Sequence, residues 1–334
     1  MRILCAVTVA ACLLASRPAL AAPPHGADTL RQAVEQVGGK VTFSTEGLPV
    51  EIDLYNGNNP LKGKGGRNTA VNDAWLEKLA GLTTLTSLSL ANCDVHGAGM
   101  KHVATLTKLE NLNLTLTPIA DEDLAPLAAL TELKSLGLAS SQVSGTGFKY
   151  LHALTKLTNL NMHYTPADDA GLAEVAKVVS LERLWVVHAK FTDAVAPSLA
   201  AHKNLKRLGI GSSLATSSGQ ALAQIGSLPL QELELFDKQA TDEAVAFAAK
   251  IPTLRMLNIS YGPAVTDAAL DPIVGMPALE ELKISGTKMT DAGLLKLADS
   301  KSLQKLSLAK SKTLTDAGIA KLRLVRPDLT VDVK

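Results

Sequence analysis

Apolar and polar positions recur along most of this chain in one phase: leucine, two variable residues, leucine, one variable residue, leucine. The stretch Leu181-Glu182-Arg183-Leu184-Trp185-Val186-Val187-His188 shows the unit at its middle. Matching frames open at Leu85, Leu109, Leu133 and Leu157 before it, and at Leu205, Leu230, Leu254, Leu279 and Leu303 after it. Successive frames start 24 or 25 residues apart. Self-similarity at that period predicts stacked modules, none of which buries its apolar face alone.

Within a module the alternation of the leucine segment predicts a short strand, its leucines inward and the residues between them outward. A polar turn follows, and then a helix start such as Thr290-Asp291-Ala292-Gly293-Leu294 or Leu314-Thr315-Asp316-Ala317-Gly318-Ile319. Thr or Asp there supplies an oxygen for the orphan N–H groups of the first turn. Strand and helix alternating every two dozen residues stack strands in parallel on one side and helices on the other. The strand side packs tighter, so it forms the concave face.

Ahead of the array, Leu30, Ala33, Val34 and Val37 fall on one helical face. Val41–Phe43 and Val50–Leu54 alternate like strands, so residues 28–54 are the expected cap of an otherwise open first module. A Gly/Lys-rich interruption spans Tyr55 to Asp73; its glycines and Lys64 lack the spacing of a phosphate loop, and it reads as a surface loop. The expected divisions are a signal peptide over residues 1–21, a leader, cap and loop over 22–72, and about ten repeats over 73–334. Asp328–Val333 closes the array.

The run Leu85-Thr86-Ser87-Leu88-Ser89-Leu90-Ala91-Asn92-Cys93-Asp94-Val95 matches the pattern L-x-x-L-x-L-x-x-N/C-x-L without a mismatch. The modules therefore resemble leucine-rich repeats. Their T-D-x-G-L helix starts are similar to the roughly 24-residue subtype of exported bacterial proteins, planctomycetes included, and of the repeat part of F-box adaptors. The resemblance covers about residues 73–334. It implies an α/β horseshoe with a parallel sheet on the concave face, helices on the convex face, and binding of a protein or peptide. No F-box-like segment precedes the repeats, so a ubiquitin-ligase role does not carry over. At the ninth position, often Asn or Cys in the family, Ala189, Lys238 and Gly262 depart most from the pattern.

The first residues change the expected compartment. Met1-Arg2, an apolar run from Ile3 to Ala15 and Ala19-Leu20-Ala21 read as a secretory signal. Val9-Ala10-Ala11-Cys12 looks like a lipobox, but the cysteine comes early and apolar sequence continues beyond it. Removing residues 1–21 takes away Arg2 and Arg17 and no acid, so a formal charge of +1 falls to near neutrality. That disfavours nucleic acid and anionic membranes as partners. Cys93 remains alone and reads as a buried structural thiol. No later stretch is apolar for long enough to span a bilayer.

Aromatics are only 3% of the residues, so those on outward positions stand out. The third, fifth, seventh and eighth positions of each frame face the concave side or its rim. Over the early frames they are small and neutral. Over the middle frames they bring together Tyr164, Arg183, Trp185, His188, Arg207, Glu232, Glu234, Phe236, Asp237 and Tyr261. Parallel strands about 4.8 Å apart put Tyr164 and Tyr261 about 19 Å apart, a span suited to a peptide or protein edge. Exposed aromatics and arginine are what binding hot spots are made of.

Each candidate also has a plainer role. Arg207 and Glu232 fall side by side as a cross-strand ion pair. His163 and His188 on neighbouring frames are weak metal ligands and better partner contacts. Glu232 and Glu234 lack a nucleophile or oxyanion donor beside them. The sequence thus reads as an exported, non-enzymatic scaffold without a cofactor, binding a protein or peptide on its middle repeats. A structural or self-assembling role and glycan recognition are the alternatives.

Overall fold

The computed structural model describes residues 26–57, 65–214, 218–309 and 311–333. The signal, Cys12, Lys62 and Lys64 lie outside the described residues. Fifteen strands follow in chain order: β1 (Lys40–Phe43), β2 (Pro49–Asp53), β3 (Asn68–Asn72), β4 (Ser87–Ser89), β5 (Cys93–Asp94), β6 (Asn111–Asn113), β7 (Ser135–Gly137), β8 (Asn159–Asn161), β9 (Arg183–Ala189), β10 (Arg207–Ser212), β11 (Glu232–Asp237), β12 (Met256–Ser260), β13 (Glu281–Ser285), β14 (Lys305–Leu308) and β15 (Thr330–Val333). Thirteen form one sheet, in the order β1-β2-β4-β6-β7-β8-β9-β10-β11-β12-β13-β14-β15, while β3 and β5 make a small sheet of their own. Every neighbour pair in the large sheet is parallel except β1 with β2. This is the leucine-rich-repeat solenoid, an α/β fold with strands on its concave face and helices or 3-10 turns on its convex face.

The leucines of every frame are inside. Leu181, Leu184 and Val186 of the middle module are at most 1% exposed, and their counterparts join one continuous core from Leu30 to Leu329. Cys93 is among them, and burial pushes its thiol up to about 12, with Asp53 adding to the rise. Helix α1 (Gly26–Gln36) buries Ala27, Leu30 and Val34 at the first end. At the last end, α8 (Asp316–Val325) leads to Arg326, whose guanidinium donates to the carbonyls of Leu297, Ser300 and Leu303 at 3.2, 2.6 and 3.0 Å.

The T-D motif divides its labour. Threonine is the cap: Thr241, Thr290 and Thr315 accept N–H groups from Ala244, Gly293 and Gly318 at the starts of α5 (Asp242–Ala248), α7 (Asp291–Leu294) and α8. The aspartate instead serves the next module. Asp242, Asp267 and Asp291 each accept both the N–H and the hydroxyl of Thr266, Thr290 and Thr315, at 2.6 to 2.8 Å. The glycine of the motif makes room for that carboxylate: a Cβ on Gly293 or Gly318 would sit inside the carboxylate of Asp267 or Asp291.

A second repeated device lies at the upper corner of the strands. The eighth residue of each frame is left-handed in Asn92, Leu116, Ser140, Tyr164, His188, Asp237 and Tyr261, with φ between 54° and 62°, and Gly286 continues the series. Its N–H still reaches the next strand, as from Leu116 to the Ala139 carbonyl at 2.8 Å and from Tyr164 to Val187 at 2.9 Å. The ladder therefore extends through the turn while the side chain is thrown onto the rim. At Ser212 the pattern breaks: β9 and β10 shift register between Ile210 and Ser212, and both Val187 and Ser212, expected outward, are buried.

Candidate functional site

Parallel register decides which outward side chains meet. One row runs Asn159, Arg183, Arg207, Glu232, Met256, Glu281, Lys305 across β8 to β14. In it Arg207 and Glu232 pair at 2.9 Å, and Lys305 pairs with Glu281 at 3.1 Å. Arg183 makes no ion pair among the described residues and stands between Asn159 and Arg207. The next row runs Asn161, Trp185, Gly209, Glu234, Asn258, Lys283, and there Asn258 donates to Glu234 at 3.1 Å.

The rim carries a ring cluster. Tyr164 and His188, at left-handed corners of adjacent strands, stack with centroids 4.2 Å apart and planes 11° from parallel. Equivalent corners on strands about 4.8 Å apart bring the two rings close enough to stack. His163 sits edge-on to both, 4.3 Å from Tyr164 and 5.3 Å from His188, and Phe236 lies 6.5 Å from His188. Beneath, His188 Nδ1 is 2.8 Å from Asp237 Oδ2, two strands away. Tyr164 keeps 51% of its surface exposed.

Such reach across β10 needs an absence of side chains on β10 itself. A Cβ on Gly211 would come within 2.7 Å of Phe236 Cβ and 3.2 Å of Asp237 Oδ2. A Cβ on Gly209 would come within 2.9 Å of Trp185 Nε1. Two outward glycines on one strand thus form a lane over which the side chains of β9 and β11 close. Burial lowers the pKa of His163, with His188 adding to the effect, and so favours the neutral imidazole. Burial raises Asp237 against the opposing pull of His188 and Lys238.

The expected candidates therefore separate into neighbourhoods. His188, Tyr164, Phe236 and Asp237 form the cluster, joined by His163. Arg207 and Glu232 satisfy each other, and Glu234 is held by Asn258. Trp185 joins no ring cluster; it leans over Gly209 at the end of a groove above β4, β6, β7 and β8. Tyr261, 65% exposed, has no ring contact among the described residues and lies against Gly286. The groove encloses about 600 Å³ and is floored by Ser87, Ser89, Asn111, Asn113, Asn159 and Asn161. Sequence reasoning passed over this small, neutral surface, and over Gly209 and Gly211. The signals were there: Asn-x-Asn on alternate strands, and two glycines at outward positions of one frame. Among the described residues no three His, Cys, Asp or Glu groups are placed to hold a metal, and no helix is long and apolar enough to cross a membrane.

The family-model comparison agrees with the repeat period. A family model described as Leucine Rich repeat matches residues 81–104 and 276–298. No curated protein matches the chain. Among solved structures, the chain is similar to an internalin (inlF) from Listeria monocytogenes, at 17% identity and a TM-score of 0.49 over 92% of this chain and 93% of that one. Internalin C2 (inlC2) of the same species is 16% identical, with a TM-score of 0.41 over 86% and 93%. The plant peptide hormone receptor RGFR1, solved in complex with RGF2, is 16% identical, with a TM-score of 0.38 over 75% of this chain and 36% of that chain. Two stretches of this chain thus match the leucine-rich-repeat model, within the solenoid described above.

Proposed function

We propose that this chain is an exported, non-enzymatic scaffold that binds a protein segment or peptide on the concave face of its middle repeats. Leucine-rich-repeat proteins typically serve as protein-binding scaffolds. The observation that carries the reading here is the rim cluster of Tyr164, His188, Phe236 and His163. A left-handed corner costs a bulky residue roughly 1–2 kcal/mol, and Asn or Gly would occupy it with less strain. Tyr164 and Tyr261 accept that cost while remaining more than half exposed, which stability does not reward.

In this reading the cluster is the apolar anchor and Trp185 a second one. Arg183 and Glu234 supply orientation, and the pairs Arg207–Glu232 and His188–Asp237 hold the surface in one arrangement, so little ordering cost falls on binding. Residues 1–21 direct export. The test is selection of displayed peptides against residues 22–334, repeated with a Tyr164→Ala/Trp185→Ala/Phe236→Ala variant whose circular dichroism is unchanged. Selected peptides are expected to lose at least tenfold in affinity for the variant. Equal binding to both proteins refutes the placement. Fractionation of cells making the chain with and without residues 1–21 tests export.

A further inference from the structure

The groove above β4, β6, β7 and β8 has a chemistry of its own and meets the rim cluster at His163. Its polar lining is Ser87, Ser89, Asn111, Asn113, Thr115, Ser135, Asn159, Asn161 and His163, with Trp185 at the end, and it includes no Asp, Glu, Lys or Arg. Burial lowers the pKa of His163, which favours its uncharged form. The leucines of the floor, Leu88, Leu112, Leu136 and Leu160, are at most 2% exposed, so none of them offers its side chain to a ligand.

The asparagines are oriented. Asn113 Oδ1 accepts the N–H of Thr115, and Asn161 Oδ1 accepts that of His163, both at 3.0 Å. With the oxygen tied to the backbone, each amide nitrogen is left as a donor with no partner among the described residues. Asn111 and Asn159 form no side-chain hydrogen bond there at either end, and the hydroxyls of Ser87, Ser89 and Ser135 are equally unused. Asn pairs on β6 and β8 flank Ser135 and Gly137 on β7, so the two amide rows lie about 10 Å apart across the strands. The path from Ser87 to Trp185 crosses four strand intervals, about 19 Å.

We infer that this groove is a second binding site, for an uncharged oligosaccharide laid across the strands with a sugar ring against Trp185. Fixed amide donors and free amide groups match hydroxyls that both donate and accept, and a lining without Asp, Glu, Lys or Arg matches a ligand without charges. An indole at the end of the groove offers a flat apolar surface to the C–H face of a sugar ring. Two amide rows about 10 Å apart favour an oligomer over a single sugar.

The test is calorimetric and fluorescence titration of residues 22–334 with uncharged hexasaccharides of β-1,4-linked glucose, N-acetylglucosamine and mannose, with oligogalacturonate as the charged control. Trp75 is only 8% exposed, so an emission change reports on Trp185. At least one uncharged oligosaccharide is expected to bind saturably and to change the emission. Asn113→Asp/Asn161→Asp keeps the oxygens that hold the backbone and replaces the outward donors. That variant, and Asn111→Ala/Asn159→Ala, which removes no internal bond, are each expected to weaken binding at least tenfold. Tyr164→Ala/Phe236→Ala is expected to leave it unchanged, which separates this site from the rim part of the proposed peptide surface; Trp185 belongs to both. Three results overturn the inference: no saturable binding across the panel, affinity retained in both asparagine variants, or selected peptides whose binding is lost in those variants.

Discussion

Replacing Gly293 by alanine tests how the modules are joined. Gly293 lies inside α7 with ordinary helical geometry, so in isolation the alanine would add about 1 kcal/mol of helix stability. Its Cβ, however, would lie 2.8 Å from Asp267 Oδ2 and closer still to Oδ1 and Cγ. The carboxylate must swing away, releasing the Thr290 N–H at 2.7 Å and the Thr290 hydroxyl at 2.6 Å. Both bonds are partly buried, and water recovers part of each, so about 1 kcal/mol apiece is the appropriate loss. Residual crowding adds about 1 kcal/mol. The expected net effect is a destabilisation of about 2 kcal/mol. Asp267→Ala alone removes the same two bonds and is expected to cost about 2 kcal/mol. In that background Gly293→Ala becomes stabilising, because nothing remains for its methyl to displace. Urea unfolding of the wild type, both single variants and the double variant closes the cycle, with an expected coupling of about 3 kcal/mol. A Gly293→Ala effect of equal size in both backgrounds, or stabilisation of the wild type by it, would refute the account of Gly and Asp as one intermodule joint.

Other substitutions and conditions separate stability from binding. Tyr261→Gly relieves the left-handed corner of a side chain and is expected to raise stability by about 1 kcal/mol while weakening peptide binding; a lower urea midpoint contradicts the strain argument. Gly211→Ala drives a methyl into Phe236 and Asp237, and is expected to break the His188–Asp237 contact and to lower affinity more than stability; a crystal structure with that contact intact goes against it. His202 is enclosed, and burial pulls its pKa down from 6.5 to about 4 against a hydrogen bond to the Val178 backbone. The folded chain then binds fewer protons than the unfolded one between those values, so this residue's contribution is full above pH 6.5 and falls as pH drops toward 4. The loss reaches roughly 3 kcal/mol at most. Urea midpoints at pH 7 and pH 4.5 should differ less in His202→Gln than in the wild type, and an unchanged difference rejects the assignment.

The repeat period, the strand and helix of each module, the parallel stack and the buried leucines were all legible in the chain, because each module repeats one local pattern whose apolar face only a neighbour can cover. Register followed from the same period: frames 24 or 25 residues apart stack position on position, so Arg207 beside Glu232 could be named in advance and is found there. What each outward side chain does was decided elsewhere. The left-handed eighth residue is invisible to alternation, and it alone brings Tyr164 and His188 into a stack. Gly209 and Gly211 read as gaps in a list of candidates, and become meaningful only when β9 and β11 close over them. The aspartate of T-D looked like part of its own helix cap, whereas its partners are 23 or 24 residues away. Sequence determined which residues share a strand and which strands are neighbours, because those depend on spacing along one dimension. Only the tertiary structure decided which side chains touch, because contact between modules depends on where a neighbour's backbone turns and on which neighbour leaves room.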